Sequence, residues 1–211
     1  MYDHVIAKLR DSYSHKDRVE ERDKGEIASW KVEERQQFLS LLQQEGKQRL
    51  LEIGAGPGRD GKFFQDHGLE VICTDLSPEM VRLCKQKGLT AYEMDFLNLD
   101  FPAASFDAIY SLNCLLHVPT KTLPDVLAKL YGLLRPGGLF YLGVYGGTER
   151  EGVWPEDKHE PRRFFAYHTD DYMRHMTAKF FTLRSFKVVP LPGIDTFHFQ
   201  SIVLQRPESG L

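Results

Sequence analysis

The chain has 211 residues, of which 42% are hydrophobic and 27% charged, an ordinary globular balance at the size of one large α/β domain. A formal net charge of −3 supplies no basic field to hold nucleic acid or an anionic membrane, so a small or neutral substrate is favoured. Three cysteines without a C-x-x-C pair (Cys73, Cys84, Cys114) argue against a disulfide framework and a zinc site and imply a reducing compartment. The N-terminus carries Asp3, His4, Lys8, Arg10 and Asp11 in place of an apolar leader, and no segment approaches the ~20 apolar residues of a membrane span. The cytoplasm is the expected location.

In chain order, Val5, Ile6, Leu9 and Tyr13 recur at helical spacing and predict a short amphipathic helix packed on the domain or over its mouth. Residues 16–24 mix charges of both signs and read as a solvated helix or a linker. Trp30 precedes a second helix over 33–44, with Phe38, Leu39, Leu41 and Leu42 as its buried face and Gly46 as its stop.

The run Leu50-Leu51-Glu52-Ile53 then breaks into Gly54-Ala55-Gly56-Pro57-Gly58 and leads into helical patterning. Glycine supplies positive φ and lets main-chain N–H groups lie against a ligand at a helix N-terminus, so this is a nucleotide-binding turn. It admits two registers. A dinucleotide fingerprint runs through Gly56, Gly58 and Gly61, but one such match is weak. The other is Glu52-x-Gly54-x-Gly56-x-Gly58, whose leading carboxylate would repel a pyrophosphate and suits a ligand bearing a cation. S-adenosylmethionine, with its sulfonium, α-ammonium and two free ribose hydroxyls, answers that description.

Beyond the turn, 62–67 ends a helix closed by Gly68, and 70–75 is a strand ending in Asp75. That acid follows the turn by about twenty residues, the spacing at which a βαβ unit sets a carboxylate on a ribose. Ser77-Pro78 caps the next helix, which Gly88 closes. A short strand over 89–94 ends at Asp95-Phe96, and 106–113 suits a buried parallel strand. A helix over 122–134 leads through the turn Arg135-Pro136-Gly137-Gly138 to a strand over 139–145. Residues 146–167 lack clear periodicity, as in a functional or disordered loop. Thr169 caps a helix running to about residue 180, and 182–189 with 197–205 reads as an antiparallel pair.

E-x-G-x-G-x-G followed by Val71-Ile72-Cys73-Thr74-Asp75-Leu76-Ser77 resembles the first motif and acidic loop of class I S-adenosylmethionine-dependent methyltransferases, and Leu-Leu-Arg-Pro-Gly-Gly-Leu-Phe at 133–140 is similar to a later motif of that family. The resemblance runs from about residue 50 to 145. Alternating strands and helices already imply an α/β fold with a parallel sheet. The resemblance sharpens this to a Rossmann-like three-layer αβα sandwich, its seven-stranded sheet mostly parallel with one antiparallel strand near the C-terminus. Residues 1–48 would be N-terminal helices forming a cover and a pre-strand helix. Residues 49–211 would be the cofactor-binding domain, with an insertion at 146–167 near the active site.

The resemblance implies that S-adenosylmethionine is the methyl donor and S-adenosylhomocysteine the product, with no metal. Glu52, Gly54, Gly56, Gly58, Asp75, Leu76, Asp95, Phe96 and Asn113 are the expected cofactor residues. Phe96 would pack on the adenine while Asp95 accepts from its exocyclic amine. His117, just after the fourth strand, is the candidate general base. Tyr13, Trp30, Tyr145, Trp154, Arg162 and Arg163 are candidates for the acceptor side, the arginines as donors to a carboxylate. The expected reaction is methyl transfer to a small molecule, with a tRNA or protein acceptor as the alternative. An NAD(P)-dependent oxidoreductase would need a Tyr-x-x-x-Lys pair or a second domain, and a binder without turnover stays open.

Overall fold

The structure, a computed structural model, describes residues 2–208, apart from the side chains of residues 16–18. Seven strands form one sheet: β1 (Arg49–Ile53), β2 (Glu70–Asp75), β3 (Thr90–Glu93), β4 (Phe106–Leu112), β5 (Leu134–Gly146), β8 (Thr182–Leu191) and β9 (Ile194–Gln205). Their order is β3-β2-β1-β4-β5-β9-β8. The first five are parallel, and β9 runs antiparallel between β5 and β8. The chain therefore winds outward from β1 on one side, then crosses back to β4. That reversal opens a crevice at the carboxyl ends of β1 and β4.

Side chains alternate between the two faces of each strand, and two apolar layers result. On one face Leu50, Val71, Cys73, Ala108 and Tyr110 pack with Phe38, Leu39 and Leu42 of α3 (Ser29–Gln44), Phe64 of α4 (Arg59–Asp66) and Cys84 of α5 (Pro78–Gln86). On the other, Leu51, Ile53, Ile109 and Phe140 meet Val126, Leu127 and Leu130 of α6 (Leu123–Leu133) and Met173 and Met176 of α7 (Asp170–Thr177). The rings of Tyr110 and Tyr141 stack across β4 and β5 with centroids 4.9 Å apart.

Local signals read from the sequence act as physics requires. Ser77 accepts the N–H of Met80 and Thr169 that of Tyr172, each satisfying an otherwise orphaned donor at a helix start. Three segments differ from the sequence reading. Arg135-Pro136-Gly137-Gly138 lies within β5: Phe106 pairs with Leu134 but Ala108 with Leu139, so the intervening residues loop out. Residues 146–167 hold a hairpin of β6 (Arg150–Val153) and β7 (Phe164–Tyr167), which pair only with each other. The charged stretch at 16–24 is a helix, α2 (Lys16–Lys24), solvated at Glu20, Glu21, Arg22 and Lys24 but anchored as the sequence did not foretell: Val19 is 1% exposed, and Arg59 donates to the Arg22 carbonyl at 3.0 Å. The preceding α1 (Tyr2–Tyr13) is fastened to the sheet domain by an Arg10–Glu93 ion pair and by Ser77, whose hydroxyl donates to the Tyr13 carbonyl at 3.1 Å.

Helix α4 lies against β1 and β2 with no room for a side chain at Gly61. A Cβ there would stand 2.5 Å from a Glu52 carboxyl oxygen and 2.7 Å from the Cys73 sulfur. Gly61→Ala is expected to destabilise the fold by about 1–3 kcal/mol, as overpacking does. Urea unfolding checks this; an unchanged midpoint would mean that α4 slides freely on the sheet.

Candidate active site

The glycine turn follows β1 and enters α4. Gly54, Gly56 and Gly58 all have left-handed backbones (φ 63°, 55° and 77°), which accounts for three glycines in alternation. Each then faces something different. A Cβ on Gly54 would lie 2.3 Å from that of Cys114, whereas one on Gly56 would meet no atom within 4 Å. Gly56 thus presents bare main chain to a cavity of about 1120 Å³. Gly58 is not on the cavity wall; its missing side chain lets Cys84 and Leu89 approach, each 2.8 Å from where a Cβ would be. Its place is in the packing of α4 on α5, which corrects the expectation that it lines the cofactor site.

Glu52 is 3% exposed, and its carboxyl accepts from the Cys73 thiol at 3.4 Å and from the N–H of Gly61. Burial pushes its pKa well above the usual carboxylate range, and the neighbouring Asp60 adds to the shift. At the end of β2, Asp75 accepts the N–H of Gly56 at 2.8 Å through one oxygen and that of Ser77 at 2.9 Å through the other. Burial raises its pKa, and those two N–H groups pull it back. Asp95, after β3, accepts the N–H groups of Leu97 and Asn98 at 2.9 and 3.1 Å and the Tyr2 hydroxyl at 3.4 Å. Leu76 and Phe96 stand on the same wall. Asn113, which follows β4, has a left-handed backbone (φ 55°) and a buried side-chain oxygen without a partner among the described residues.

The opposite end of the cavity is aromatic. Tyr13, Trp30, Tyr145 and Trp154 line it together with Phe165, Tyr167 and Phe197. The last three are sites that sequence reading missed, because they lie on β7 and β9 far from any motif. Arg163 is on the wall; Arg162 is not, being half-exposed and 3.9 Å from Glu160, so the structure withdraws it from the acceptor side. Asp157, also unforeseen, grips Arg163 with both oxygens at 2.7 and 2.9 Å. The third guanidinium nitrogen donates to the Tyr13 hydroxyl at 2.9 Å.

That hydroxyl also lies 2.7 Å from Nε2 of His117, whose Nδ1 is 2.7 Å from the Phe164 carbonyl. A carbonyl only accepts, so Nδ1 carries the proton and Nε2 accepts from Tyr13. Burial pushes the imidazole down to about 3, and the charges of Arg163 and Arg22 act in the same direction. His117 is therefore a neutral ring with both nitrogens engaged, and the expectation of a free general base is corrected.

Residues 50–138 match the family described as Methyltransferase domain. Over 72% of its length the chain is 24% identical to phosphoethanolamine N-methyltransferase of Plasmodium falciparum, and it spans 60% of that relative. Among solved structures, the 1,6-didemethyltoxoflavin-N1-methyltransferase of Burkholderia thailandensis, with its substrate and S-adenosylhomocysteine bound, superposes with a TM-score of 0.74 at 23% identity, covering 98% of this chain and 91% of that one. The [4+2]-cyclase SpnF is also similar, with a TM-score of 0.65 at 16% identity over 88% of this chain and 86% of its own, so the fold alone does not fix the reaction. The strand order, the glycine turn beside an acid-ended β2 and the domain match over residues 50–138 make this chain similar to the class I S-adenosylmethionine-dependent methyltransferases.

Proposed function

We propose that this chain transfers a methyl group from S-adenosylmethionine to a small molecule. One observation carries the reading: a single cavity joins the acidic wall of Asp75 and Asp95 to the aromatic end. At about 1120 Å³ it exceeds the roughly 300–1,000 Å³ of an ordinary ligand pocket and has room for donor and acceptor together. The B. thailandensis relative holds two such molecules, which supports the assignment. No helix of the described residues is long and apolar enough to cross a membrane, and all three cysteines are free and buried, in keeping with a cytoplasmic enzyme.

The residues present fit the donor. Each Asp75 oxygen has spent one acceptor site on a backbone N–H and keeps another for a ribose hydroxyl. The unpartnered Asn113 oxygen and the open main chain at Gly56 suit the amino-acid portion, and Phe96 with Asp95 suits the adenine. When bound, the donor supplies an electrophilic methyl on a sulfonium whose charge disappears as the methyl passes to the acceptor. The task left to the protein is orientation and exclusion of water. For that, α1 and α2 and the β6–β7 hairpin form a cover held shut by the contacts from Asp157 through Arg163 and Tyr13 to His117. A tRNA or protein acceptor would have to enter past that cover on a chain of net charge −3.

Calorimetry is expected to show binding of S-adenosylmethionine and S-adenosylhomocysteine and none of NAD. Asp75→Ala should weaken both adenosyl ligands tenfold or more, since hydrogen bonds to a charged group contribute about 1.5–3 kcal/mol each. An unchanged dissociation constant would remove Asp75 from the site.

Tyr13→Phe leaves the His117 Nε2 and one Arg163 nitrogen unpaired. Trypsin is expected to cut this variant faster than the parent within residues 150–163; equal rates would show that the cover does not depend on Tyr13.

His117 also makes stability depend on pH. Its folded pKa of about 3 lies below the unfolded value, so the unfolded chain binds the extra proton between the two. Its contribution is full above about pH 6.5 and is lost as pH falls. Urea unfolding at pH 6.5 and pH 5 should cost the wild type about 2 kcal/mol more than His117→Gln. Identical losses would refute the assignment of a buried neutral ring.

A further inference from the structure

We propose that the acceptor is a planar aromatic molecule bearing an anionic group, its ring held at the aromatic end and its negative charge on Lys31. The inference rests on the methyl-transfer reading and names the substrate class of that site.

Flatness comes from the walls. Trp30 and Tyr145 are ring neighbours at 6.5 Å, Tyr145 and Phe197 at 5.8 Å, and Phe197 stacks on Tyr167 with 17° between planes. Trp154 stands edge-on to Tyr167 at 5.7 Å. Rings packed on one another this way present a contiguous aromatic wall to the cavity, against which a planar ring makes offset or edge contact.

The sign of the charge comes from the cations already present. An aromatic enclosure is ordinarily suited to an ammonium, which is drawn to exposed ring faces. Here the protein's own cations lie over three of those rings and over Phe165. The Lys31 ammonium is 5.2 Å from the Trp30 centroid and 5.8 Å from that of Tyr145, Arg150 is 4.2 Å from Trp154, and Arg163 is 5.1 Å from Phe165. A cationic acceptor would meet repulsion rather than a free face.

Among these cations Arg163 is neutralised by Asp157, and Arg150 lies off the cavity wall. Lys31, on the cavity wall in the first turn of α3, has no ion pair among the described residues. The other carboxylates toward the mouth, Glu21, Glu26 and Glu156, are on exposed residues, where solvent screens them. The missing counter-charge at the aromatic end is therefore the acceptor's.

The test uses the full-length protein saturated with S-adenosylhomocysteine, titrated calorimetrically with 4-hydroxybenzoate, its neutral methyl ester, tyramine and O-phosphoethanolamine. The acid is expected to bind at least tenfold more tightly than tyramine or O-phosphoethanolamine, with the ester between. Lys31→Met should lower the acid's affinity at least tenfold while leaving those of the ester and of S-adenosylhomocysteine unchanged, and Lys31→Arg should retain the preference. Tighter binding of tyramine or O-phosphoethanolamine, an acid-to-ester ratio untouched by Lys31→Met, or no binding of the acid at millimolar concentration would overturn the proposal. Failure of the parent protein to bind S-adenosylhomocysteine would instead overturn the methyl-transfer reading, so the two failures are distinguishable.

Discussion

The close passage of the main chain from β1 into α4 governs the rest of the molecule. Three glycines make it possible, and each is set against a cysteine: Gly54 against Cys114, Gly58 against Cys84, Gly61 against Cys73. Small faces small at every point, so the turn can cross between β2 and β4 at the depth of the sheet. From there the N–H of Gly56 reaches Asp75 at the end of the neighbouring strand, fixing the carboxylate that ends β2. A larger residue at any of these positions would displace the turn and the acid together, because they are joined by that hydrogen bond. The buried thiols are accordingly explained as packing elements, compact enough to fill the space that the glycines leave.

A second constraint operates at the other end of the cavity, where residues from three separated segments meet. Tyr13 belongs to α1, His117 to the 3₁₀ turn after β4 (Leu115–His117), and Asp157 and Arg163 to the β6–β7 connection. Each member is polar and largely withdrawn from water, so each needs the others: an unpaired guanidinium or phenol there would incur its full desolvation cost. Such a network is all or nothing, and it couples the position of the N-terminal helices to that of the hairpin. Proximity of the N-terminal helices and the hairpin is therefore built into hydrogen bonding and does not rest on apolar contact alone.

How much of this could be read in the sequence depends on how local each feature is. The strand over 70–75, the Ser77 cap and the glycine turn are set by neighbours within a few residues, and the structure reproduces them. The hairpin was invisible because β6 and β7 have four residues each and Gly152 interrupts the alternation; their partnership exists only in the tertiary pairing that runs from Arg150–Tyr167 to Val153–Phe164. His117 was found by its place after β4, but its state was not, since that depends on a tyrosine 104 positions earlier and a carbonyl 47 positions later. Val19 appears in a run of charges and is buried only because α2 settles on α5, a tertiary outcome that no window of sequence contains.

The two ends of the cavity also differ electrostatically in a way that gives a ligand pair its direction. At the glycine turn, Glu52 and Asp75 are carboxyls whose pKa values burial has raised, so ionisation there is held back by lost hydration. A cationic ligand restores what hydration no longer provides, and an anionic one deepens the penalty. At the aromatic end Arg163 is held by Asp157, while the Lys31 ammonium faces the Trp30 and Tyr145 rings without an ion pair among the described residues, so the uncompensated charge there is positive. A sulfonium is therefore favoured at the glycine turn and opposed by the uncompensated charge at the aromatic end. Selection of orientation thus precedes any contact between the reacting atoms, and it follows from where charge has been buried.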